Sequence, residues 1–233
     1  MCFSATASFS AGAVLLGVGT LTLRSALASR HSHQWRDLPF AAIPVLFAIQ
    51  QLIEGVIWLT FSSEAPLLNS VMTHVYSFFS HVLWPVYVPV AVLLIEPAGW
   101  RRRGLTAFVA AGTAVGAYLL VVLVAFPIVS RPTGQHIEYV SPHFFAAVTM
   151  TLYLLSTAVS PLLSTHRMVV AFGALALLSF GAAYAFYATW FISVWCFIAA
   201  LLSAVIYLHF GVRELGRSRS NDNRLSAHRS QEA

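Results

Sequence analysis

From Gly104 to Pro127 the chain reads GLTAFVAAGTAVGAYLLVVLVAFP, without one charged side chain in the run. Roughly 20 consecutive apolar residues are what a helix needs to cross the hydrocarbon of a bilayer. Six further segments share this character, so the sequence predicts spans over residues 8–28, 38–61, 70–95, 104–127, 140–163, 167–187 and 189–210. In hydrocarbon every backbone amide and carbonyl must find its partner within the chain, which leaves the helix as the only conformation for segments of this kind. The expected fold class is therefore all-α, a polytopic membrane bundle of seven transmembrane helices. Composition agrees: 58% of residues are hydrophobic and 9% charged, against the quarter or so that a wetted globular surface carries. Residues 1–212 read as one transmembrane domain, and 213–233 as a basic, disordered tail.

The basic residues carry direction. All thirteen are arginine, and they lie towards the ends of the apolar runs, between them and in the tail rather than in one patch. Arg24, Arg30, Arg36, Arg101, Arg102, Arg103, Arg167 and the five arginines of the tail fall on one side of the expected membrane, and Arg131 alone on the other. Positive charge accumulates on the cytoplasmic side, so the N-terminus is expected outside and the C-terminus in the cytoplasm of a cell inner membrane. The net charge of +5 is thus a topology signal and no nucleic-acid partner is expected. With no lysine, the chain cannot form a retinal Schiff base. Two cysteines, Cys2 and Cys196, are too few for a disulfide scaffold.

Against this apolar background the segment QQLIEGVIWL, residues 50–59, is anomalous. Gln50, Glu54 and Trp58 step by four, and Gln51 and Glu54 by three, so they share a helical stripe. Span three repeats the pattern with His74, Ser77 and His81. At about 1.5 Å per residue, Glu54 lies some 10 Å below the outer surface, between His74 at about 6 Å and His81 at about 17 Å. The short loop SSEAPLLN makes spans two and three antiparallel neighbours, so the stripes are expected to converge. Buried ionisable groups in a membrane are costly and mark functional sites. Gln50, Gln51, Glu54, His74, Ser77 and His81 are therefore the candidate proton or ligand site. Glu54, His74 and His81, with Cys196 as a further thiolate, are the candidate metal set, for zinc or copper. The bland counterpart is a protonated Glu54 hydrogen-bonded between helices. His31 and His33 read as a solvated basic loop, His143 opens span five, and Pro85 and Pro89 interrupt span three.

The stretches MCFSATASF and FAIQQLIEGVIWL resemble an uncharacterised family of bacterial multi-span membrane proteins. The resemblance implies a polytopic inner-membrane protein and no particular chemistry. In topology the chain is also similar to seven-span intramembrane zinc hydrolases of the alkaline ceramidase and adiponectin-receptor type. Those enzymes complete their zinc site with paired histidines in the last span, where this chain has only His209, near the far end.

Three functions fit these residues. The first is proton- or ion-linked transport of a small solute or ion through an outward-facing polar site. The second is a metal-dependent intramembrane hydrolase acting on a lipid or a small apolar substrate. The third is a non-catalytic sensor or assembly partner. In each the partners are the lipid bilayer and a small molecule or ion.

Overall fold

A computed structural model of the chain describes residues 4–28, 34–63, 65–142, 144–187 and 190–210. Within them are seven helices long and apolar enough to cross a membrane: α1 (Ala5–Ala28), α2 (Trp35–Ser62), α3 (Pro66–Ile95), α4 (Trp100–Ala125), α5 (Ala146–Leu163), α6 (Arg167–Phe186) and α7 (Phe191–Phe210). All seven expected spans are present, with ends shifted by a few residues. Cys2, His31, His33, His143 and the expected tail lie outside the described residues.

One element was not anticipated. Span five was expected to begin at residue 140, but α5 starts at Ala146, and a β-hairpin precedes it. Its strands are β1 (Val129–Thr133) and β2 (His136–Val140), antiparallel, with Val129 opposite Val140 and Thr133 opposite His136. Gly134 (φ +61°) begins the two-residue connection, in a conformation that glycine adopts without a Cβ penalty. Along β2, Ile137 and Tyr139 are buried while His136 and Glu138 are partly exposed, the two-residue alternation of a strand with one covered face.

The helices pack through small residues, as they must where lipid competes equally for apolar side chains. A Cβ at Gly12 or Gly19 of α1 would meet α2 at 2.9 or 2.5 Å, and one at Gly55 of α2 would meet Phe9 at 2.9 Å. The row Pro44, Ala48, Gln51 and Gly55 of α2 is buried and follows this seam. The row Ile43, Phe47, Gln50, Glu54 and Ile57 is buried too, on the adjoining face of α2. The core between α2 and α3 centres on Phe47 and Trp84, whose rings stack with centroids 3.9 Å apart.

Helix α3 absorbs its prolines by changing pitch. Residues Phe78–Leu83 form a π-type segment, and Trp84 donates its amide to the Phe79 carbonyl five residues back. Pro89 has no amide to give to the Pro85 carbonyl. Gly112 of α4 packs there instead, so closely that a Cβ would lie 1.8 Å from that oxygen. Gly112→Leu should therefore lower the thermal midpoint sharply, by about 1–3 kcal/mol of overpacking or more. Gly17→Ala, whose new Cβ meets nothing within 4 Å, should leave stability unchanged or raise it by up to about 1 kcal/mol. Thermal unfolding of both variants in the same detergent checks the pair.

Candidate functional site

Gln50, Gln51 and Glu54 are each 0% exposed, so the three polar side chains of α2 are fully removed from solvent and lipid. Isolated, such groups would be costly, and the structure brings partners to them from two other helices. The Trp84 indole of α3 donates to Gln50 Oε1 at 2.7 Å. The Ser193 hydroxyl of α7 donates to Glu54 Oε1 at 2.7 Å. Cys196, one turn along from Ser193, is buried in the same small cluster as Tyr76 and Ile57, close to Gln50 and Glu54. The polar groups of α2 thus meet α7 as well as α3.

Gln51 differs. It lies on the row of α2 that follows the α1 seam, and neither atom of its amide has a hydrogen-bond partner among the described residues. Ser8 of α1 and Ser77 of α3 are also 0% exposed, and their hydroxyls likewise have no partner among those residues. Each such buried, unpaired group costs about 1–3 kcal/mol.

The face that α3 turns inward is not the one marked by its histidines. Thr73, Tyr76, Ser77, Ser80 and Trp84 are buried, whereas His74 and His81 are partly exposed on its flanks. His74 Nδ1 donates to the Ser70 carbonyl of its own helix at 2.7 Å, and His81 Nδ1 shares a 2.8 Å hydrogen bond with Ser80 Oγ. Among the described residues no group of three or more His, Cys, Asp or Glu side chains is placed to hold a metal ion. The anticipated set of Glu54, His74 and His81, with or without Cys196, is therefore not assembled as a metal centre. The physical reason is rotational: the stripe of residues 74, 77 and 81 straddles the inward direction, and only Ser77 falls on it.

The hairpin covers the polar residues from the β end. Tyr139 stacks on Tyr76 at 4.5 Å with the rings 3° from parallel, and Ile137 joins Ile57 and Cys196 in one small apolar cluster. A hydrogen-bond chain ties it down. Thr73 donates to Ser130 at 2.8 Å, Ser130 to Asn69 at 3.1 Å, Asn69 to Thr60 at 2.8 Å and Thr60 to the Ile57 carbonyl at 2.6 Å. His136 stacks on Trp190 at 4.6 Å beside Tyr187.

A second buried carboxylate stands at the arginine-rich end. Glu96 is 2% exposed. It accepts from Ser164 Oγ at 2.9 Å and from the Thr165 amide at 3.0 and 3.1 Å, while Arg101 donates to the Ser164 carbonyl at 2.9 Å. Glu96 latches the end of α3 to the α5–α6 connection. Its position directly before Pro97, at the close of an apolar run, is the only signal the sequence offers for it.

Two predictions test this geometry. Ser193→Ala should destabilise by about 1–3 kcal/mol by stripping a donor from a buried carboxyl. Its effect should be non-additive with that of Glu54→Ala, as a double-mutant cycle of thermal midpoints would reveal. Burial pushes the His136 imidazole below its ordinary value of 6.5, so the unfolded chain binds the proton more tightly. The stabilisation from hairpin docking is then full above pH 6.5 and declines as the pH falls below it. His136→Phe should remove that dependence from thermal midpoints measured between about pH 5 and 8.

The model of a family described as a family of unknown function, DUF6629, matches residues 1–221. No curated protein and no solved structure matches the chain.

Proposed function

Because the chain belongs to the DUF6629 family of unknown function, its chemistry has to be read from its own residues, and we propose that it is a proton- or ion-linked carrier of a small solute or ion with Glu54 as the protonatable group. The observation that carries this reading is the enclosed carboxyl of Glu54, 0% exposed and held by Ser193 from another helix. A carboxyl in such surroundings exchanges a charge for a proton at a large difference in solvation energy. That difference is the means by which binding of a cation or proton can bias one arrangement of the helices over another. Gln50, one turn away on the same row of α2, supplies a neutral amide beside it, suited to a polar solute or a partly hydrated cation. The two π-type segments, Phe78–Leu83 of α3 and Leu155–Val159 of α5, add support, since such irregularities concentrate at functional sites.

The bias of twelve arginines to one favours a cytoplasmic C-terminus in a cell inner membrane, which would put the hairpin outside as a cover over the site. His81 is a secondary proton acceptor in this scheme, and His74 is peripheral to it.

The test is Glu54→Gln, which keeps the shape and one acceptor oxygen but cannot ionise. In reconstituted vesicles, uptake of monovalent cations and small neutral solutes is followed together with internal pH. Coupled proton movement in the native protein and its loss in the folded variant is the expected outcome. Equal pH-dependent flux in both proteins would discard the proposal.

A further inference from the structure

Beside the polar residues, and separated from them by Cys196, lies a cavity of about 100 Å³. Its inner wall is made by Tyr153, Trp195 and Cys196, all buried, and its outer wall by Tyr118, Phe144 and Met150, all at least partly exposed. The outer wall draws on α4, on α5 and on Ser141, Pro142 and Phe144 of the segment that leads from the hairpin into α5. The flank around it is apolar: Val121 and Val124 of α4 are 64% and 80% exposed, and Phe145 and Val148 are 78% and 61% exposed. In a bilayer that flank faces lipid, which offers hydrocarbon a lateral approach to the outer wall.

Several polar groups of the wall are already engaged. Tyr153 donates its hydroxyl to the Ser80 carbonyl. The Ser80 hydroxyl is bonded to His81 Nδ1, and Tyr118 donates to the Phe144 carbonyl at 2.9 Å. The lining is predominantly apolar, the kind of space that accepts small hydrocarbons; an engineered apolar cavity of about 150 Å³ binds benzene. The mouth is built at a conformational cost. Phe145 has φ +52°, a left-handed backbone that a bulky side chain adopts only where its surroundings compel it. Phe144, fixed by Tyr118, stands at the entrance.

We propose that this cavity is a binding site for a small hydrocarbon group reaching it laterally from the bilayer, either a free apolar molecule of about benzene size or the end of a lipid acyl chain. It is distinct from the Glu54 chemistry and does not rest on it.

Cys196 reports on the site from within. In a Cys2→Ser background it is the sole thiol. Methyl methanethiosulfonate, small and neutral, transfers its methylthio group to a thiol and releases methanesulfinate. Its charged sulfonatoethyl analogue performs the same chemistry but is excluded from an apolar channel. The folded protein is placed in a fluorinated surfactant, which offers no hydrocarbon chains, and modification is timed by mass spectrometry. The neutral reagent should label Cys196 at least about tenfold faster than the charged one, because both attack the same thiolate and differ in their access to it. Adding benzene, or adding phospholipid with ordinary acyl chains, should slow the neutral reaction several-fold, and whichever protects identifies the source. Met150→Trp, which fills the lumen, should slow it without any additive. Equal rates for both reagents, or no protection by either hydrocarbon, would each overturn the proposal.

Discussion

The carboxyl of Glu54, wholly enclosed among apolar helices, is the constraint around which the bundle is arranged. A group of that polarity is stable there only with a donor supplied from elsewhere in the chain. Ser193 supplies it from α7 at 2.7 Å, and that single bond joins residues 139 positions apart. Once α7 is fixed there, Cys196 falls next to Gln50, and Trp195 packs against Tyr153 of α5. Trp84 secures the same row of α2 to α3 through Gln50. Three helices are thus positioned by side chains that lipid could not have partnered.

Backbone groups impose a second and similar demand. Proline at 85, 89 and 161 removes amides from helices that cannot borrow water to replace them. The chain answers with local changes of pitch, with a glycine of α4 brought against the exposed Pro85 carbonyl, and with Tyr153 donating into the π-type segment of α3. The irregularity of α3 and the cavity beside it share a wall at Ser80 and His81. An irregular helix, α3, therefore borders both the polar residues and the apolar pocket. This proximity gives the protein two adjoining environments of opposite character, separated by one thiol.

The hairpin shows how little sequence must change to end a membrane span. Residues 129–140 contain Arg131, Glu138 and His136 among apolar residues, and a reading by hydropathy takes the last of them into a helix. In the structure Tyr139 instead lies flat on Tyr76, and Ser130 enters a hydrogen-bond chain with Thr73 and Asn69. The strands hold because both of their partners, the edge of α3 and the start of α7, are already in place. The periodicity of Ile137 and Tyr139 is legible as a strand only once the Gly134 turn is recognised.

Number, length and class of the helices were settled by the sequence itself, because a run of apolar residues in hydrocarbon has one way to satisfy its backbone. The anomaly at Gln50, Gln51 and Glu54 was equally readable, since polarity at those positions demands a partner whatever the packing. Which partner it finds was decided by tertiary structure alone. Helical spacing defines a stripe but not the direction in which the helix is rotated, so Ser77 and Tyr76 face inward while His74 and His81 stand to either side. Ser193, an unremarked hydroxyl in the last span, becomes the donor to Glu54 only because α7 crosses α2 at that depth. Glu96 was hidden for the same reason: its ligands, Ser164 and Thr165, are distant in sequence and meet it only when α3 and the α5–α6 connection end at one level.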